Sequence, residues 1–440
     1  MSKVRIIIAA IMCSCVAFTA TAQINQAAAS MMGQKDGGSL PVGFGATFID
    51  GQTFYLISVM PDLSFGRLGI GLDINLRINS QTGALRPGDY AKFSDYLRIL
   101  RYVRWAQKGD PFYVRFGQLD YSLLGHGSII YNYNNSASYD LRKSGIELDV
   151  NSEKAGFESM YSDVTDKGLL GMRGYVRPLK FTSLAKVPVI NNFEVGATYA
   201  RDLSDNATSK RDSVSPTNIY YEGTGGLSIY GFDLGLPILQ YPVIKSSLYF
   251  DYAKIVNYGN GTSVGINLGL NLGSLVVVKS KYEYRFNGDE YIPAYFNALY
   301  EYDRFSTARG SKSDTLNGIK ANKGYYGELL ISVLNTINII GAYQAPAPND
   351  NQGVMHAELR LPDMAGIVVR GAFDKTDIGR VFVPEHTILS AELGYMPVKY
   401  LLVSMLFQRT FSDRDANGNP LGYFVKQDRV EPKVSVVFDF

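Results

Sequence analysis

The 440-residue sequence predicts an all-β fold. The expected architecture is a single transmembrane antiparallel β-barrel with an even strand number of about 16–20, closed by short turns at one end and long loops at the other. Three observations carry that prediction. The chain opens with an export signal, its body alternates apolar and polar residues over long stretches, and its connections alternate short and long.

Lys3 and Arg5 precede an apolar run that begins at Ile6, continues to Phe18 and closes on Ala20, Thr21 and Ala22. A basic start, a short apolar core and a small-x-small exit make residues 1–22 a secretory signal peptide, cleaved near Ala22. The run is too short for a membrane span. Both cysteines, Cys13 and Cys15, sit in the middle of it, without the small residues that precede a lipid-attached cysteine. The mature chain therefore has no thiol for disulfides, thiolate metal sites or cysteine nucleophiles. Removing Lys3 and Arg5 leaves 41 basic against 41 acidic groups, a balance without the basic footprint of a nucleic-acid binder.

Residues 23–40 are rich in Ala, Gly and Ser. They are expected to form a flexible periplasmic tail, with an inward-folded plug as the alternative, and residues 41–440 to form the barrel. No later segment approaches 18 consecutive apolar residues, so helical spans are not expected.

The first clear strand is 67–78, where Leu68, Ile70, Leu72, Ile74, Leu76 and Ile78 oppose Arg67, Gly69, Gly71, Asp73, Asn75 and Arg77. Period-two order without exception is a strand signal. The pattern returns at 262–273, at 275–286 and at 354–361. In 367–374, Ile367, Val369 and Phe373 oppose Arg370 and Asp374. These runs have the length a tilted strand needs to cross hydrocarbon, about 9–11 residues. Strands of soluble proteins run to about 5–6. Tyr and Phe near the strand ends fit interfacial girdles.

Tight turns are expected at 273–274, 334–336, 362–365 and 396–399, alternating with polar loops at 80–96, 125–139, 204–224, 288–322, 347–353, 378–386 and 412–428. Short periplasmic turns and long outer loops are the outer-membrane arrangement. The segment 42–49 completes an even count and puts both termini on one side.

In the last strand, Val434, Val436, Phe438 and Phe440 share one face and the chain ends on the aromatic ring. This resembles the C-terminal signal by which bacterial outer-membrane barrels are read by the barrel-insertion machinery. With the stretch Phe112-Tyr113-Val114-Arg115-Phe116-Gly117-Gln118-Leu119-Asp120 and the following Leu124-Gly125-His126-Gly127, the tyrosine-rich chain resembles porin-like barrels of the Bacteroidota. The resemblance implies a cell outer-membrane location and a lipid-facing belt. A homo-oligomer is compatible with it, although no subunit interface can be read from the residues.

A barrel of this size encloses a channel or a plug. Its inward faces would carry Arg67, Asp73, Arg77, Arg98, Arg104, Arg115, Asp120, Glu147, Asp149, Arg173, Arg177, Glu194, Lys279, Lys281, Glu283, Arg285, Glu358, Arg360, Arg370 and Asp374. Arginine-rich walls favour anionic solutes. The same charges can instead pair across neighbouring strands and stiffen the wall, and the two readings are compatible. The leading expectation is a porin-like channel for small hydrophilic, anionic solutes. The rival is a non-conducting barrel acting as a structural, secretion or assembly component. No apolar inward stripe calls for a hydrophobic solute.

The aromatic loop 288–322, with Tyr291, Tyr295, Phe296, Tyr300, Tyr302 and Phe305, can fold into the lumen, form a partner surface or extend the flanking strands. Asp413, Asp415 and Asn417 have the alternate spacing of a calcium loop, with Gly418 sixth, but Phe424 stands where the bidentate Glu would be. Such residues also serve ordinary turns. His126 beside Ser128 is not a catalytic constellation by adjacency alone. His356 and His386 lack metal-ligand spacing, and Gly223, Gly225 and Gly226 read as a turn. No enzyme and no cofactor is expected.

Overall fold

The computed structural model describes residues 37–436, apart from 50–51, 87–88, 91, 137–141, 213–219, 307–309, 335, 348–353, 377–386 and 415–419. Residues 1–22, expected to be a signal peptide, most of the 23–40 segment, Asp415, Asn417, Phe438 and Phe440 lie outside the described residues.

The main sheet holds 23 strand segments. Three pairs of segments run on from one another, which leaves twenty strands in a ring. These are β1 (Gly37–Ser39 and Val42–Ile49), β2 (Gln52–Val59 and Asp62–Phe65), β3 (Leu68–Leu72 and Ile74–Asn79), β4 (Leu100–Trp105), β5 (Phe112–Gly117), β6 (Gly145–Asn151) and β7 (Ala155–Tyr161). Next come β8 (Leu169–Val176), β9 (Glu194–Asp202), β10 (Leu227–Gln240), β11 (Ile244–Ile255), β12 (Asn260–Asn271), β13 (Val276–Asn287) and β14 (Asn322–Val333). The circuit is completed by β15 (Ile337–Ala347), β16 (Val354–Met364), β17 (Ile367–Thr376), β18 (Thr387–Val398), β19 (Leu401–Arg414) and β20 (Pro420–Val436). Each strand pairs antiparallel with the next, and β20 pairs with β1 through Val42↔Val436, Gly43↔Ser435 and Phe44↔Val434. That last pairing closes the ring of strands among the described residues, as a membrane-spanning sheet requires.

The wall is inverted relative to a water-soluble protein. Val264, Leu268 and Met405 are 49%, 45% and 54% exposed on the outside, whereas Arg77, Asp251 and Glu283 are 0%, 1% and 1% exposed inside. Strand alternation puts the apolar row outward and the charged row inward, the order that hydrocarbon outside and a polar lumen require. Outward rings gather at both ends: Tyr55, Phe286, Tyr325 and Tyr343 at the long-loop end, and Phe65, Trp105, Phe112, Tyr241 and Tyr395 at the end that carries both termini. Rings at these two levels form girdles at the membrane interfaces.

Several boundaries differ from expectation. Gly37–Ser39 pairs with β2, so the wall begins inside the 23–40 segment. The 67–78 run is broken at Asp73, whose amide instead donates to the Ile99 carbonyl at 2.8 Å. Arg67 does not line the lumen: it is exposed in the turn after Gly66, whose φ of +55° reverses the chain. The polar stretch 412–428 is mostly strand, with β19 and β20 paired from Leu401↔Val436 to Arg414↔Pro420. The turn 177–193 at the termini end is long and contains three short 3-10 turns.

Candidate functional site

The described residues of two of the long loops, 118–144 and 288–321, fold into the lumen. Leu119, Leu124, Ile129, Ile130 and Tyr133 of the first are buried with Tyr291, Tyr295, Phe296, Tyr300 and Leu316 of the second. They pack on inward wall residues Leu169, Ala200, Leu227, Ile229, Ala253 and Ile255. These positions break the polar-inside rule of the wall, and the apolar inward stripe not expected from sequence is therefore present, covered by the plug. The two loops also share backbone hydrogen bonds: Tyr131 N donates to Phe296 O and Phe296 N to Ile129 O, each at 3.1 Å. Irregular backbone inside a barrel needs such partners.

The plug core is aromatic. Phe296 meets Tyr295 and Tyr300 edge-on, with centroids 5.2 and 4.7 Å apart. Burial pushes the Tyr295 and Tyr300 hydroxyls well above the usual tyrosine range, so both stay neutral. The Tyr300 hydroxyl donates to Asp202 at 2.6 Å.

Inward glycines form seats for this core. A Cβ on Gly171 would lie 2.5 Å from Ile130 Cδ1, and one on Gly261 would enter the Tyr291 ring. Only a missing side chain allows such an approach.

Nearer the termini end, polar clamps tie the plug to the wall. His126 stacks on Tyr249 at 4.4 Å and its Nδ1 lies 3.0 Å from Asp251 Oδ1 and 3.9 Å from Asp233. Arg173 grips Asp233 through Nε at 2.9 Å, Glu194 at 2.7 Å and Glu158 at 3.5 Å. Glu158 in turn accepts the Gly125 amide at 2.8 Å. Elsewhere around the wall Arg142 pairs with Asp73, Tyr131 donates to Glu328, and Leu299 packs on Ala372. The plug thus touches β3, β7–β14 and β17, and it spans the lumen.

The charges singled out from sequence are mostly paired. Arg77 lies 3.4 Å from both Asp89 and Glu431, and Arg115 is 3.0 Å from Asp120. Glu147 accepts from Tyr113 at 3.1 Å. Lys281 and Arg285 flank Glu283, at 2.8 Å for the lysine, and Glu358 pairs with Arg360. Arg370 faces open lumen, its side chain 45% exposed, 3.1 Å from Glu392. Arg98 and Arg177 fall outside the strands, paired with Asp95 and Glu194 at 3.0 Å each. Arg104 donates to the Ala106 carbonyl at 2.8 Å, and Asp149 is 2.9 Å from Lys108. The Asp374 side chain and the Asp413 side chain lie outside the described residues, as do Asp415 and Asn417 of the calcium spacing. Val434 and Val436 are in β20, with Val434 exposed on the outer face.

Between the plug and β10–β14 a cavity of about 430 Å³ remains, toward the termini end. Lys245, Lys279, Lys281, Gln240, Ser247 and Asn267 line it, beneath His126 and Tyr131. The sequence pointed to Lys279 and Lys281 and weighed His126 only beside Ser128; it missed Lys245, which belongs to no long charged alternation.

No protein-family model matches the chain, and no curated protein does. Solved structures with a related chain trace include a variant of the ferric enterobactin receptor of Pseudomonas aeruginosa, at 9% identity over 92% of this chain and 81% of that one, with a TM-score of 0.36. Wzi, an outer membrane carbohydrate-binding β-barrel involved in group 1 capsule assembly in Escherichia coli, matches at 12% identity over 91% and 84%, with a TM-score of 0.34. OccAB2 of Acinetobacter baumannii matches at 11% identity over 92% and 98%, with a TM-score of 0.32. The barrel assignment rests on the strand pairing of this chain itself.

Proposed function

We propose that this protein is an outer-membrane channel for small hydrophilic, anionic solutes whose lumen is gated by its own outer loops. The short turns and both termini would face the periplasm, with the 1–22 segment removed at export and the long loops outside. The observation that carries the reading is the inverted wall with a detachable filling: the plug is made of two loops that no covalent link fixes to the wall beyond their own ends. The near-complete pairing of arginine with carboxylate moves the source of anion preference from arginine to the lysines of the inner cavity. The buried aromatic core favours one rival, a permanently plugged barrel that serves as a structural or assembly component.

Single-channel recording of the refolded protein in planar bilayers, with reversal potentials in asymmetric salt, separates the two. Gated openings with anion preference support the channel; a correctly folded barrel that stays silent under all voltages supports the scaffold. The outer-membrane placement has its own test. Deleting Phe440 is expected to lower the amount of heat-modifiable barrel in the outer membrane, and unchanged abundance would contradict a terminal insertion signal.

A further inference from the structure

The cavity below the plug has a chemical character that the rest of the lumen lacks. Lys245 on β11 stands opposite Gly269 on β12, which stands opposite Lys279 on β13. Two ammonium groups therefore share one rung of the wall with only a glycine between them. Neighbouring strands are about 4.7–4.9 Å apart, so two long flexible stems separated by one strand can converge on the same group. Among the described residues neither lysine has an ion-pair or hydrogen-bond partner, in a wall whose other inward cations are nearly all matched. Two like charges this close repel, and the repulsion is relieved when an anion sits between them.

The next rung adds neutral donors. Ser247 stands opposite Asn267, and Asn267 opposite Lys281. Asn267 donates to Ser247 at 3.3 Å, and Gln240 lies on the rim. The carboxylate here, Glu328, is engaged by the hydroxyls of Tyr131 and Tyr326, and Lys281 is engaged by Glu283 at 2.8 Å. The lining thus sets Lys245, Lys279 and neutral hydrogen-bonding groups against one carboxylate, Glu328, whose hydrogen bonds leave its charge in place. The cavity volume, about 430 Å³, falls within the usual range for small-molecule sites.

We propose that this cavity is a binding site for a small solute bearing an oxyanion group, a carboxylate or a phosphate, held by Lys245 and Lys279 and oriented by Ser247, Asn267 and Gln240. The proposal rests on the channel reading and sharpens it, by naming the solute class and the point at which it is held before the plug moves. Arginine would grip an oxyanion as a rigid fork, whereas paired lysines hold it as mobile point charges, which suits capture followed by release.

The test is calorimetric titration of the folded full-length mature barrel in detergent at low salt, with inorganic phosphate and, separately, with succinate. Binding of at least one of them in the millimolar range or tighter is expected. Lys245→Gln and Lys279→Gln should each weaken it about tenfold, the loss of one charge-assisted hydrogen bond. Gly269→Leu, which keeps both charges but fills the space between them, should also block binding, so the result does not depend on removing charge alone. Heat-modifiable migration identifies variants that fold. Absence of binding by either anion overturns the proposal, and so does unchanged binding by the folded K245Q/K279Q variant, which would mean adventitious ion association elsewhere. The two readings can fail separately: a barrel silent in bilayers that still binds anion through these lysines loses the channel and keeps the site, whereas a conducting barrel that binds neither anion does the reverse.

Discussion

Toward β7–β14 the plug lies in a broad seat, whereas toward β3 and β17 fewer contacts hold it among the described residues. The seat combines an apolar core, Leu169, Ile229 and Ile255 against Ile129, Ile130 and Phe296, with glycine sockets at Gly171 and Gly261 and the Arg173 cluster beneath. Among the described residues the far side offers Asp73 to Arg142 and Ala372 to Leu299. Salt screens ion pairs and does not screen the burial of apolar surface. The difference teaches where a gate would open: the far ties can release one at a time while the seat stays docked, and the lumen would then clear along β15–β20 and β1–β3.

The largest effect should come from breaking the seat. Arg173→Met removes the cation that Glu158, Glu194 and Asp233 share; Glu194 keeps Arg177, whereas the Asp233 carboxylate, with only His126 at 3.9 Å, loses its close cation. Uncompensated buried charge costs about 3–5 kcal/mol, so amides of 121–133 should lose protection in hydrogen exchange. Retained protection would show that the seat does not depend on this cluster. Gly261→Leu fills the socket of Tyr291 and should cost about 1–3 kcal/mol as an overpacked core, read as faster proteolysis within 288–321.

A far-side change should act differently. Asp73→Asn removes the charge partner of Arg142, an effect of about 1–3 kcal/mol. Conductance fluctuations should increase while exchange of 121–133 changes little; equal loosening of both would make the two sides one unit.

A further effect concerns pH. Burial pushes Lys312, in the second loop, down to about 8 from an ordinary 10.5, with Asp303 only partly opposing. Its Nζ donates to the Tyr295 carbonyl at 2.8 Å, which places it within the plug. Between pH 8 and 10.5 the docked plug binds fewer protons than the released one, so docking strengthens as pH rises through that window and is flat below it. Openings should become rarer from pH 8 to 10, and Lys312→Met should remove that trend.

The barrel was legible in the sequence because strand alternation writes two solvents into one row: Leu68 to Ile78 outward, Gly69 to Arg77 inward. The even strand count, the tight turns and the aromatic ends followed from the same rule. The plug was half legible. Loop 288–322 announced itself by its rings but not by its direction, since a ring cluster fits a lumen or a partner equally well. Loop 118–144 gave no such sign, because Leu124, Ile129 and Ile130 are too few to show a period. The usable signal lay in the wall, where Leu227, Ile229, Ala253 and Ile255 put apolar side chains on the inward face and so required a cover. Arg67 was misplaced because period two continues through a turn on paper although the strand has ended. The Lys245–Gly269–Lys279 rung needs the register of three strands, which alternation within each strand does not specify.

The most direct test of a lumen closed by its own loops is the single-channel conductance of the wild-type barrel beside one in which residues 121–133 are replaced by a short Gly-Ser linker. The account predicts brief, infrequent openings for the wild type and a steady, large, salt-proportional conductance for the linker variant. Equal conductance from both folded proteins would contradict it.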